Sequence, residues 1–214
     1  MTVPPFYRSQ EKAVSSYDYY DVASGTGYVI FYGGWTVDKI LLSNVAFYSS
    51  DVLHVGGQVG AGSVFTQDFD HNYDVEFRLP RVIKGQLIAN VPLGLHRATA
   101  ADLHVRATIY VRKWDGTTET EIASNVGTDY GGMTAAYKRM MDAIDVTIPE
   151  THFKAGESLR ITVLIESHTI VVGSGDYCFY GHDPYDRSSD ELDIVDFSTY
   201  PSTLSFQVPF KIDL

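Results

Sequence analysis

The chain has 214 residues, with 27 acidic against 16 basic side chains and a formal net charge of −11. That balance argues against direct nucleic-acid binding, which runs on neutralising phosphates with Lys and Arg. A lone cysteine, Cys178, rules out an intramolecular disulfide, and no run approaches the roughly 18 apolar residues of a membrane-spanning helix.

With 44% hydrophobic and 20% charged residues, the chain reads as one large globular domain. Its start lacks a basic stretch followed by an apolar run, so no signal peptide is expected. Residues 1–26 read as an extended arm, because Pro4 and Pro5 disfavour helix and residues 15–21 are polar and aromatic without a period. Residues 27–214 read as a single β-sandwich domain. Residues 28–32 form a wholly apolar run, expected as a strand buried on both faces and stopped by Gly33 and Gly34. Residues 36–48 read as a further strand pair. Gly56, Gly57, Gly60 and Gly62 mark a loop whose spacing does not match a dinucleotide fingerprint.

Tyr73, Val75, Phe77 and Leu79 alternate with polar residues, the signature of a half-buried strand ended by Pro80. Residues 86–91 are expected as its partner, with Gly85 at the turn. Leu103, Val105, Ala107, Ile109 and Val111 alternate as a second strong strand. Asp115-Gly116 then predicts a two-residue hairpin turn, with 117–122 returning antiparallel.

The stretch 134–145 is ambiguous. Tyr137, Met141 and Ile144 sit at helical spacing, whereas Met140, Ile144, Val146 and Ile148 alternate as a strand in which Asp142 is a defect. A strand over about 138–148 is preferred, because it leads directly to a turn at Gly156. Leu159, Ile161, Val163 and Ile165 then alternate with Arg160, Thr162, Leu164 and Glu166, and this is taken as a central strand. Residues 177–180 add another strand, and 182–193 an acidic surface loop. The terminal alternation through Leu204, Phe206, Val208 and Phe210 contains Pro209, which expects an edge strand or a bulge. Many short strands without a persuasive helix give an all-β antiparallel sandwich or jelly roll, with an extended N-terminal arm.

Candidate chemistry is sparse. Asp68, Asp70, Asn72 and Asp74 have oxygens at a spacing that can converge on calcium. An EF-hand loop, however, would need Gly and Glu where Tyr73 and Leu79 stand. Solvated loop acids are therefore the favoured reading. Asp183 and Asp186 could hold an ion at the sandwich rim, but the favoured reading is that they cap backbone amides. The seven histidines show no metal-binding spacing. If histidines do meet in space, as in cupin-type barrels, His104 and His168 are the first suspects. Cys178 reads as a buried, inert thiol. No catalytic residue, metal or cofactor is assigned. Trp35, Trp114, Tyr17, Tyr19, Tyr20 and Tyr185 are the expected interface or binding residues, since such rings are favoured at interfaces and in sugar sites.

The segment Tyr-Asp-Tyr-Tyr-Asp-Val-Ala-Ser-Gly-Thr-Gly-Tyr at 17–28 carries a resemblance, together with Trp-Asp-Gly-Thr-Thr-Glu-Thr-Glu-Ile at 114–122, His-Asp-Pro-Tyr-Asp-Arg at 182–187 and Val-Pro-Phe-Lys-Ile-Asp-Leu at 208–214. In style these resemble virion-associated β-sandwich proteins of tailed bacterial or archaeal viruses. The resemblance implies a non-enzymatic structural role, as a capsid decoration or a minor capsid or tail component. It implies a homo-oligomer whose arm lies across a neighbouring subunit and whose partners are other virion proteins. The alternative is a carbohydrate- or receptor-binding module with a glycan as partner. Outside a virion, a cytoplasmic location is expected.

Overall fold

The computed structural model describes residues 15–16, 26–37, 39–50, 53–55, 62–96, 102–131, 137–169, 176–185 and 202–211. These form twelve strands and no helix. In chain order they are β1 (Ser15–Ser16), β2 (Thr26–Trp35), β3 (Ile40–Ser43), β4 (Leu53–Val55), β5 (Gly62–Glu76) and β6 (Arg81–His96). Then come β7 (Leu103–Trp114), β8 (Glu119–Val126), β9 (Tyr137–Phe153), β10 (Ser158–Thr169), β11 (Tyr177–Gly181) and β12 (Ser205–Lys211).

One layer is built around β6. One edge of β6 pairs with β9 along its whole length, and the other is shared between β12 and β11. The layer continues from β12 to β2 and β3, while β4 adds to β11 and β1 to β2. The second layer has the order β10-β7-β8. Strand β5 runs antiparallel beside β10: Thr66 Oγ1 donates to Ser167 O, Arg160 grips Asp74, and Phe77 N donates to Glu157 O. Through Leu41 and Asp74, β5 also pairs with β3, in parallel, so it joins the two layers along one side.

The alternating residues face one another across the gap. Leu87, Ala89, Val91, Leu93 and Leu95 of β6 meet Val105, Ala107, Ile109 and Val111 of β7 and Leu159, Ile161, Val163 and Ile165 of β10 in one buried cluster. That removal of apolar surface from water is the main stabilising force, at about 25 cal/mol per Å². β10 lies between β7 and β5, which makes it central as expected. The ambiguous stretch is also strand: Met140, Ile144, Val146 and Ile148 of β9 point inward and Met141, Ala143, Asp145 and Thr147 outward.

Several expectations change. Residues 86–91 do not partner 73–79. They belong to β6, whose partners are β9 and β12, and Gly85 lies within β6 rather than at a turn. At Gly85 φ is +126°, and the registers of both β6–β9 and β6–β12 shift around it. A Cβ there would sit 3.3 Å from Pro209. Gly85 and Pro209 therefore form one bulge. It lets Pro209, which has no amide to donate, lie in a strand paired on both sides. Of the two expectations for Pro209 the bulge is therefore the one observed, and β12 is an interior strand rather than an edge.

Gly33 and Gly34 continue β2 instead of ending it. A Cβ on Gly33 would come 2.5 Å from Leu204, and one on Gly34 2.6 Å from Phe47, so their bareness permits close packing. β2 is not buried on both faces either, since Ile30 is exposed. In 36–48 only β3 is strand. The hairpin between β7 and β8 has a four-residue loop: Trp114 pairs with Glu119, and the Asp115 carboxylate accepts the amides of Thr117 and Thr118. Of the proposed arm, β1, paired with β2, and Thr26, the first residue of β2, are described.

Candidate functional site

Even-numbered residues of β7 and β10 point away from the core, and the antiparallel register places His104 directly opposite His168. Their rings stack nearly parallel, with centroids 4.5 Å apart. His104 Nδ1 lies 2.8 Å from Asp129 Oδ1, and its Nε2 lies 3.2 Å from Asp102 Oδ1. Phe65 stands edge-on to His168, and the Arg106 guanidinium covers Phe65 before pairing with Glu166. His168 Nδ1 is buried and meets no hydrogen-bond partner among the described residues. Burial, reinforced by the neighbouring His104, holds the His168 imidazole below its ordinary pKa.

Asp129 reaches His104 because the segment after β8 is pinned. Gly127 N donates to Ala107 O, and Tyr130 exchanges backbone hydrogen bonds with Val105. Asp142, the apparent defect in β9, supplies the anchor. It is buried, its Oδ2 accepts the Thr128 amide at 3.0 Å, and its Oδ1 accepts the Tyr130 hydroxyl at 3.1 Å. Any Cβ on Gly131 would overlap the His104 ring, and one on Gly127 would overlap Asp142. Asp142→Ala leaves two donors without their acceptor and is expected to cost about 2 kcal/mol. Chemical denaturation measures the loss, and the His104 ring NMR signals should shift as Asp129 is released.

One ligand atom each from His104, Asp129 and His168 lie within 4.8 Å of one another. Two imidazoles and a carboxylate are a donor set that suits zinc and related ions. The observed arrangement is a hydrogen-bonded one. Both His104 nitrogens face carboxylates, and stacked rings aim their in-plane lone pairs side by side rather than at a shared point. A metal would have to displace a carboxylate and turn a ring. The meeting of His104 with His168 follows from their strand positions. Asp129 and Asp102 were not anticipated. Asp102, two residues before His104, was findable from strand periodicity, whereas Asp129 required the fold.

The acids of β5 do not share a site, and they are strand residues rather than loop residues. Asp68 is half-buried near Ser167 and Cys178, and burial pushes its carboxyl up. Asp70 is exposed. Asn72 accepts the Thr162 hydroxyl, and Asp74 takes a bidentate grip from Arg160 at 2.7 Å. Arg160 also binds Glu119, which meets Arg112. The outer face of this layer is thus a network of charges already paired. Cys178 is fully buried, and burial pushes its thiol well up, as for an inert side chain.

Trp35 is half-buried against His71 and His182. Trp114 carries the Arg160 guanidinium 4.6 Å over its ring, where a sugar would stack. The expected surface loop at 182 begins buried: His182, Asp183 and Pro184 are enclosed, and only Tyr185 is exposed. Asp183 Oδ1 accepts the Tyr185 amide, the capping role read from sequence. Tyr17, Tyr19, Tyr20 and Asp186 lie outside the described residues.

No family model matches the chain, and no curated protein matches it. Among solved structures, an aminopeptidase from a marine-sediment Thaumarchaeota archaeon matches at TM-score 0.49 and 8% identity, over 88% of this chain and 37% of its own. A CocE/NonD family hydrolase from Staphylococcus aureus matches at 0.47 and 12%, over 87% and 37%. The infectious bursal disease virus Gt strain structure matches at 0.38 and 13%, over 84% and 42%. The chain spans less than half the length of each of these. None reaches a TM-score of 0.5, so no activity, substrate or assembly passes from them to this chain.

Proposed function

We propose that this chain is a non-catalytic structural protein of a virus particle, of the tailed-virus kind that its sequence resembles. It acts by forming a homo-oligomer that docks on other virion proteins. One observation carries the assembly reading: a fixed corner of the sandwich presents apolar and aromatic side chains to solvent. Val37 is 90% exposed, Tyr48 70%, Tyr185 56% and Val45 52%.

This corner is held in place by packing and hydrogen bonds. Ser49 Oγ accepts the Trp35 amide and donates to the Trp35 carbonyl, Ser50 N donates to that carbonyl at 2.6 Å, and Phe47 packs on Gly34. Rigid aromatic groups on an ordered backbone lose little entropy when covered, and exposed apolar groups gain most from being covered. The acidic net charge keeps unassembled subunits dispersed. Glycan binding on the two tryptophans is the weaker alternative, because Trp35 is half-buried against His71 and His182 and the Arg160 guanidinium lies over the Trp114 ring.

Size-exclusion chromatography with light scattering tests the oligomer. The expected mass is a multiple of 23.8 kDa. Tyr48→Asp with Tyr185→Asp should give a monomer with an unchanged circular dichroism spectrum. A wild-type monomer at high concentration overturns the reading. Mass spectrometry of purified particles tests the virion assignment through the copy number of the chain.

A further inference from the structure

Against a net charge of −11, one end of the sandwich is locally basic. A cavity of about 440 Å³ opens where β6 and β10 begin and β7, β9 and β12 end. Arg81, Lys113, Lys154 and Lys211 surround it, with His152 beside them. Two carboxylates stand nearby. Glu157 takes Lys113 at 2.6 Å, and Glu150 is shared by Lys84 at 3.2 Å and by Lys211 and His152 at 3.6 Å. The pairings with Lys84 and Lys113 hold the Glu150 and Glu157 carboxyls below their usual range. Arg81 and the Lys154 ammonium carry no ion pair among the described residues, although Lys154 is near enough to Glu157 to help lower its carboxyl.

We propose that this cavity binds an anionic saccharide. Arg81 and Lys154 hold its sulfate or carboxylate groups, and Pro80 and Val82 support the aliphatic face of a sugar ring. The volume lies within the roughly 300–1,000 Å³ usual for small-ligand sites, and a lone inorganic anion would leave most of it empty. The wall chemistry favours a sugar over a nucleotide. Of the two rings in the lining, Phe153 is buried, edge-on to Phe77 and beneath Lys113, so it has no open face on which a base could stack, and the exposed His152 imidazole is small and stands beside Glu150 at 3.6 Å. A short ligand also sits within about 8 Å of the local cations, the screening length in physiological salt, and is shielded from the acidic remainder of the protein. A long polyanion is not.

Isothermal titration of the full chain with a heparin-derived tetrasaccharide tests the site, beside inorganic sulfate, ATP and an uncharged tetrasaccharide. The expected result is a micromolar Kd for the sulfated sugar alone, rising with salt. Arg81→Ala with Lys154→Ala should raise it at least tenfold. Both residues are exposed, so the fold should survive, as circular dichroism checks. Lys39→Ala, in the connection between β2 and β3 and beyond the end of β2 remote from Lys211, should change nothing. Failure of the sulfated sugar to bind below millimolar concentration overturns the proposal, as does binding that the double variant leaves intact. Equal binding of sulfate or ATP overturns the saccharide assignment. The site lies away from the Tyr48–Tyr185 corner, so none of these outcomes depends on assembly.

Discussion

Lowering the pH from 7 to 4 should destabilise the fold by roughly 3 kcal/mol through His182 alone. Burial, with His71 close by, lowers the His182 imidazole from its ordinary 6.5 to about 4. The folded state therefore refuses a proton that the unfolded chain accepts. Stability is complete above pH 6.5, falls as the unfolded imidazole protonates, and levels off near pH 4. Each pKa unit corresponds to about 1.4 kcal/mol, which sets the magnitude. His71 and His168 are also lowered, chiefly by burial, and act in the same direction. Asp68, raised by burial, opposes them at the acid end. Urea denaturation at a series of pH values measures the slope, and His182→Asn should flatten it. An equal slope in the variant would assign the acid lability elsewhere. Because His182 leads directly to Tyr185, hydrogen exchange at acid pH should show this corner opening first.

Phe206→Ala should cost about 4 kcal/mol, near the upper part of the range for aromatic truncation in a core. Phe206 is fully buried on β12, opposite Ala89 on one side and Phe31 on the other, and its ring lies 6.1 Å from Tyr73. Neighbours on both flanks are held by strand pairing, so the vacated space cannot collapse cheaply. Phe210→Ala, at the half-buried end of the same strand, should cost about half as much. Thermal or chemical denaturation of the two variants checks the ratio. Similar losses at both sites would mean that β12 is not the interior strand described here.

The strands were legible because alternation is local. A period of two residues sends one set of side chains toward apolar surroundings and the other toward water, whichever strand lies alongside. That rule placed Leu159, Ile161, Val163 and Ile165 inside and put His104 and His168 on an outer face. It also gave the correct answer for 138–148 over the helical alternative. Asp142 looked like an error in the pattern because its partners, Thr128 and Tyr130, lie in another segment. Gly85 looked like a turn because a positive φ serves a bulge as well as a turn.

Composition and alternation by themselves determined an all-β, cysteine-poor, acidic sandwich, including which residues of each strong strand face the core. Only the tertiary structure decided which strands lie side by side. It carried the C-terminal strand between β6 and β2, brought Asp129 to His104, closed Arg160 on Asp74 and gathered four cations round one cavity. The physical reason is that periodicity specifies a face but not a neighbour. Neighbours are chosen by the burial and register of the whole molecule, and bringing distant segments together costs entropy that grows only slowly with their separation.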